Sequence, residues 1–471
     1  MNKILTTVLL ITLCSITTSG REVQLNGNAP GGANKDIQLY GQADPVTGQP
    51  VFIEEIQIPD HEEFGFSIDC ENVCWLRLRY GIYEYTLVVK EGGSYEFELP
   101  IYKAITENDK LNPFFEYEHT HIKVEDTDDI NNDIRYIDSL FYNYSNQFAR
   151  SIYLGEPLRD KDSILESFAG IKESLEEPYS AMYYEYRYCL LRMISEKRTF
   201  PSSEDIDLIN RKFLPRMPAY TELVGQVFNG YLRRLANDRQ AATLRTLINS
   251  GGPYNEISTL ILEQQAIKDT SLMEFVLLLN LYNEYYKGGF RKEGVEKIIK
   301  WISARASNDY NRNLAQIIIK KINRLKTGTR PPDFRLRNTQ GEIYTLDSLR
   351  GKFTLLVFGN TNLPETKSEL DILNTWAGEY KDRLAVVVIL LDEDFDSARK
   401  RLKEGNNDFI FLDGSASAGL VQDYEIRYLP AFYFLDSNMK LIQSPALLPS
   451  ENLKESVIIQ LGEGFMDDIG D

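Results

Sequence analysis

Four cysteines and three histidines are the residues of this 471-residue chain best suited to nucleophilic, redox or metal chemistry, and their placement limits what they can do. Cys70 and Cys74 are separated by Glu71-Asn72-Val73 and followed by Trp75-Leu76-Arg77-Leu78-Arg79, which alternates like a strand. A working redox pair keeps one sulfur as thiolate, usually at a helix N-terminus or beside a cation. Here no helical pattern follows, and Glu71 adds charge of the wrong sign. In an oxidising compartment the pair is expected as a structural disulfide across a strand-to-strand turn; the alternative is a thiol-disulfide oxidoreductase working through Cys70 and Cys74. Cys189, within Tyr183 to Met193, reads as a buried helical thiol.

His119 and His121 alternate, so a strand would turn both to one face, with Glu116 or Glu118 near enough to help hold a metal ion. Two histidines without a third firm ligand are expected as solvated strand residues, and no metal or cofactor is assigned. All histidines precede Ile122, which rules out a His-assisted serine or cysteine mechanism built within the later part of the chain. The chain has no phosphate-cradling glycine loop, no HExxH, no zinc cysteine set and no Gly-x-Ser-x-Gly elbow.

The elements that must carry these residues fall into successive patterns. Met1-Asn2-Lys3, the apolar run Ile4 to Leu13 and the small, polar Ser15 to Gly20 read as a secretory signal peptide over residues 1–20, too short to span a bilayer. Cys14 fits a lipidated cysteine, but Leu13 stands where a small side chain is wanted, so simple cleavage near Gly20 is expected. Either way the protein is expected to leave the cytoplasm. Over residues 21–127, short alternating runs separated by turn residues predict an antiparallel β-sandwich-like domain: Ile37 to Tyr40, Val51 to Ile58, Phe64 to Ile68, Trp75 to Arg79, Tyr85 to Lys90 and Tyr95 to Leu99.

Over residues 128–325 the period becomes helical. Ile130, Ile134, Ile137, Leu140, Phe141 and Tyr144 form one stripe, and proline and glycine breaks predict roughly eight to ten helices in an all-α domain. Tyr179, Tyr183, Tyr184, Tyr186 and Tyr188 suit either a binding surface or helix-pair packing, and packing is the expectation. Lys326 to Pro332 reads as a short linker. With 70 acidic against 52 basic residues and a net charge of −18, the field repels phosphate backbones and anionic headgroups, so neither nucleic acid nor a membrane surface is an expected partner. Beyond the leader nothing approaches transmembrane length, and the oligomeric state is not readable.

From Pro331 the chain reads Pro331-Pro332-Asp333-Phe334-Arg335-Leu336, then Gly341-Glu342-Ile343-Tyr344-Thr345-Leu346 and Leu349-Arg350-Gly351-Lys352. The apolar run Phe353 to Phe358 follows, then a polar turn to Thr366 and a helical pattern at Glu369 to Leu373. Leu384 to Leu391 reads as another core strand, and Tyr428-Leu429-Pro430-Ala431-Phe432-Tyr433-Phe434-Leu435-Asp436 as a third. A strand delivering its last residues to a helix N-terminus is where open α/β sheets place their chemistry. In this order the motifs resemble the thioredoxin-like thiol-disulfide reductases of the bacterial envelope. The resemblance implies an α/β thioredoxin-like domain over residues 326–471, with Pro430 cis and facing the redox site, and it places Leu363 and Thr366 where the two redox cysteines would stand. Similar exported proteins carry a β domain in front, so the fold class is multidomain: β-sandwich-like, all-α, then thioredoxin-like.

Leucine and threonine supply no thiolate, and no cysteine lies between Leu190 and Asp471, so the terminal domain is expected to be redox-inactive. Asn362 is expected to cap the following helix, with Pro364 in its first turn and Glu365, three positions after Asn362, completing a capping box. Ser450 is expected to cap the last helix. The expected function is non-catalytic binding of an exported peptide or protein partner in the periplasm or envelope of a Gram-negative-type bacterium. Its groove would comprise Asn360, Thr361, Asn362, Pro364, Glu365, Leu429 and Pro430, taking the partner by strand addition.

Overall fold

Every second residue of β4 (Glu63–Cys70) is buried, the signature of a sheet with one face in a core and one in water. In a computed structural model describing residues 21–106, 109, 115–121, 129–158, 160–198, 201–237, 242–402, 408–415 and 419–463, β4 lies at the edge of the sheet β4-β1-β7. The expected leader with Cys14, and the tail beyond residue 463, lie outside the described residues. A five-stranded sheet, in the order β3 (Val51–Gln57), β2 (Asp36–Gly41), β5 (Val73–Tyr80), β6 (Tyr83–Lys90) and β8 (Glu118–His121), supplies the second layer. Val23 and Leu25 of β1 (Arg21–Asn28), Phe64 and Phe66 of β4, and Leu76 and Leu78 of β5 (Val73–Tyr80) share one core, so the two sheets form a sandwich.

Two details differ from the sequence expectation. The strand β1 is absent from the predicted set because its alternating part, Val23 and Leu25, is short and abuts the expected leader. It pairs antiparallel with β4 but parallel with β7 (Ser94–Glu98), so the sandwich is not wholly antiparallel.

The described residues divide into two compact units, those up to Tyr102 with those from His119 to Val227, and those between Lys103 and Glu118 with those from Phe228 onward. Eleven α-helices lie between Asp129 and Arg324 among the described residues, more than the periodicity predicts. Pieces as short as Tyr231–Asn237 complete too few turns for a stripe to show. In the first unit, α1 (Asp129–Leu154) is clamped to the sandwich by Asn131, whose amide both accepts from Val88 N–H and donates to Val88 C=O at 2.8 Å. Also in this unit are α2 (Lys161–Gly170), α3 (Pro178–Ser195), α4 (Ser203–Asn210) and α5 (Pro218–Val227).

The second unit carries α6 (Tyr231–Asn237), α7 (Ala242–Ser250), α8 (Tyr254–Leu262), α9 (Thr270–Lys287), α10 (Lys292–Arg305) and α11 (Asp309–Arg324), and then the α/β domain. No helix among the described residues is long and apolar enough to cross a membrane. The expected linker after α11 is tied down: Gly328 N–H donates to Leu441 C=O at 2.7 Å, and Leu441 N–H donates to Thr329 C=O at 2.9 Å.

The terminal domain is built on a five-stranded sheet whose edge strands are Ile410–Asp413 and Leu441–Gln443. Its central strand β11 (Phe353–Gly359) runs parallel to β12 (Leu384–Leu390) and antiparallel to β14 (Ala431–Leu435). The period of two sends Leu356 and Phe358 into one core and Leu355 and Val357 into another, which Leu370 and Leu373 of α12 (Pro364–Asn374) help to close. Burial on both faces explains why β11 reads as an apolar run interrupted only by Thr354, itself buried. Ser450 caps no α-helix: it lies in the short 3-10 turn Pro449–Glu451, and its N–H and hydroxyl donate to Glu369 at 3.0 and 2.6 Å.

Candidate functional site

The site begins where β11 ends. A Cβ on Gly359 would lie 2.6 Å from Thr366 Cγ2, so strand and helix approach closely only because residue 359 has no side chain. The turn between them is held by Asn360, whose Oδ1 accepts from Asn362 N–H at 2.9 Å while its Nδ2 donates to Leu391 C=O at 3.0 Å. Asn360 N–H donates to the hydroxyl of Thr366 at 3.3 Å. Thr366 is fully buried, whereas Leu363 is half-buried and Pro364 and Glu365 are exposed.

The helix start differs from the expected one. Leu363 is the N-cap residue of α12, extended at φ −94°, ψ 120°, and no side chain caps the helix. Pro364 accounts for this, since a residue preceding proline is driven out of the helical region and the cap falls there. Asn362 and Glu365 therefore form no capping box, although Glu365 still places negative charge in the first turn.

Two residues that the sequence reasoning missed complete the turn. Asp392, just past β12 and 1% exposed, accepts from the N–H of Thr361 at 3.0 and 3.1 Å and from its hydroxyl at 2.6 Å. Arg401, last residue of α13 (Phe395–Arg401), donates to Asp392 at 3.0 Å and to Thr361 Oγ1 at 2.8 Å. In sequence Asp392-Glu393-Asp394 looks like a solvated acidic turn. The available signal was the position of Asp392, directly after eight strand-like apolar residues.

The bond Leu429–Pro430 is cis, and Pro430 is buried. Register pairs Phe358 with Ala431, which puts Pro430 one step on, alongside Gly359 at the end of β11. The backbone of Leu429 makes no hydrogen bond among the described residues. The C-terminal end of β11 thus gathers the turn Asn360–Thr366 and the proline loop. An unpaired peptide group beside such a loop can receive an extended chain, and neither the turn nor the loop contains a cysteine.

The other candidates fall elsewhere. Cys70 and Cys74 are bridged, with Cα atoms 5.9 Å apart across the turn from β4 to β5, and Cys70 is 1% exposed within the sandwich core. Cys189 is a buried free thiol whose pKa burial pushes up to about 12, with further help from Asp205. His119 Nδ1 lies 3.2 Å from Glu84 Oε1, a buried carboxylate that already receives Arg77 and Arg79 at 3.2 and 2.7 Å. The side chain of His121 lies outside the described residues, and no group of three or more metal-ligating side chains occurs among those described. The tyrosines of α3 pack inward: Tyr183, Tyr184 and Tyr186 are buried, Tyr183 stacks on Trp75, and Trp75 Nε1 donates to the Tyr179 hydroxyl at 2.8 Å.

Residues 327–444 match the AhpC/TSA family. Over 129 residues the chain is 32% identical to the thioredoxin-like protein YneN of Bacillus subtilis strain 168, a match spanning 26% of this chain and 74% of that protein. The chain belongs to the AhpC/TSA family. The match lies in its terminal α/β domain, the part of this AhpC/TSA-family protein that carries the turn and the proline loop. Among solved structures it is similar to a putative thiol:disulfide interchange protein DsbE from Chlorobium tepidum, at 21% identity and a TM-score of 0.27, over 29% of this chain and 97% of that one. It is also similar to a thioredoxin-like protein from Bacteroides caccae, at 14% identity and a TM-score of 0.31, over 50% of this chain and 93% of that one.

Proposed function

We propose that this AhpC/TSA-family protein is exported to the cell envelope and binds a peptide or protein partner there without exchanging disulfides. The observation that carries the reading is the identity and setting of Leu363 and Thr366. They stand where the resemblance places the redox cysteines, and Thr366 is buried with its hydroxyl accepting from Asn360 N–H. A thiolate cannot be replaced by a threonine hydroxyl, which is un-ionised at neutral pH and here committed to the turn. The peptide group of Leu429, which makes no hydrogen bond among the described residues, supports a groove that takes an extended chain.

The test starts with the partner isolated by pull-down from an envelope extract. Pro430→Ala and Asn362→Lys are each expected to weaken its binding at least about tenfold, in the range expected for disturbing an interface anchor. Full affinity in both variants would remove the groove from the account. Separately, the chain with Cys70→Ala and Cys74→Ala is expected to reduce a model disulfide no faster than buffer. Turnover by that variant would overturn the redox-inactive reading.

A further inference from the structure

A second concavity lies within the unit formed by residues 228–471, a cleft of about 590 Å3 between helices α9 to α11 and the loop that leads into β14. Its floor is closed by two ion pairs. Lys321 meets Glu425 at 2.9 Å, and Lys326 meets Glu296 at 2.5 Å, with the Tyr285 hydroxyl donating to the same Glu296 oxygen at 3.2 Å. The partners of the first pair are 12% and 18% exposed, so these charges are spent on holding the walls together.

The rim is different. Arg427 is exposed and makes no hydrogen bond or ion pair among the described residues. Lys292 is exposed too, its ammonium 4.9 Å from the centre of the Tyr285 ring and without a carboxylate partner among the described residues. Glu293 is the single carboxylate of the cleft not taken by a lysine, so the lining carries four cations against three anions in a chain of net charge −18. Two exposed phenol rings line the same cleft, Tyr286 at 56% and Tyr428 at 46% exposure. Uncommitted guanidinium and ammonium groups beside exposed aromatic faces suit a ligand that joins a negative charge to an apolar body.

We propose that this cleft binds a carboxylate carried next to an aromatic or aliphatic group, with Arg427 and Lys292 holding the carboxylate and Tyr286 and Tyr428 flanking the apolar part. The carboxylate has two sources, a peptide C-terminus and a free small acid. The cleft shares the loop around Pro430 with the groove, since Tyr428 and Ala431 line it, but Arg427 and Lys292 are not groove residues, so variants at those two positions test it apart from partner binding.

Calorimetric titration of the full chain uses four probes: N-acetylphenylalanine, its primary amide, a short peptide ending in phenylalanine with a free carboxylate, and the same peptide amidated. At least one acid is expected to bind about tenfold or more tightly than its amide, the range of a charge-assisted hydrogen bond. Binding of both acids admits a small ligand, and binding of the peptide acid alone identifies a chain terminus. The double variant Arg427→Gln/Lys292→Gln, at two exposed positions, is expected to fold normally and to bind acid and amide alike. Glu293→Gln is expected to tighten acid binding. Equal affinity for acid and amide, no binding of either acid, or an acid preference surviving in the double variant would each overturn the proposal.

Discussion

Thr361 gives both its N–H and its hydroxyl to the carboxylate of Asp392, 31 residues away, and Asp392 is almost wholly buried. The turn that in a reductase would present sulfur is thereby bolted to the end of the neighbouring strand. Asp392→Ala would leave the Thr361 N–H without its acceptor and Arg401 without its anion. A loss of about 1–3 kcal/mol is expected, the range for orphaning a buried polar group, measured as a lower urea midpoint. An unchanged midpoint would show that the turn is held by Asn360 alone.

If missing sulfur is what silences the site, restoring it should matter. Leu363→Cys with Thr366→Cys is expected to form a reducible bridge and to support disulfide turnover in a Cys70→Ala/Cys74→Ala background. Glu365, in the first turn of α12, works against a thiolate at residue 363. Adding Glu365→Gln should lower that thiol's pKa by roughly 0.2–0.7 units, the size of a charge effect at a helix end. Thiol titration followed by absorbance of the thiolate reads it directly.

The Cys70–Cys74 bridge closes a short loop between two strands. For a loop of this size the chain-entropy estimate is about 2 kcal/mol. Cys70→Ala/Cys74→Ala is expected to lose that much stability in urea, as is the reduced wild type, with partner binding intact at temperatures where both remain folded.

Asp205 adds an acid-sensitive contribution to the stability of the first unit. Burial by itself would push its carboxyl up, but hydrogen bonds from Ser202 N–H, Arg192, Cys189 and Arg198 outweigh burial and hold it well below the ordinary carboxylate range. Because the folded carboxyl titrates below the unfolded one, its contribution is complete above about pH 4 and drains away as pH falls from there towards the folded value. Asp205→Asn is expected to cost at most about 3 kcal/mol at neutral pH, given that the arginines are partly exposed. The variant's deficit should shrink steadily between about pH 4 and pH 2, as followed by urea unfolding at each pH.

Much of the architecture was legible because it is written in local periods. The apolar run Phe353 to Phe358, the alternation of Phe64, Phe66 and Ile68, and the stripe from Ile130 to Tyr144 each announce an element without reference to the rest of the chain. The exceptions have physical causes: β1 offers only two inward apolar residues, and Asn362 was displaced from the cap because Pro364 constrains the residue before it.

The composition of the candidate site was settled by the sequence alone, since which atoms a turn can offer depends only on residue identity. Leucine and threonine at positions 363 and 366 contain no sulfur in any conformation. What only the folded chain decided is which groups are spent and which are free. That Asp392 is buried against Thr361, and that among the described residues the peptide group of Leu429 has no hydrogen bond and Arg427 no anion, follow from strand register and helix packing. Those bring together residues tens of positions apart, and a linear pattern carries no record of the distance between them.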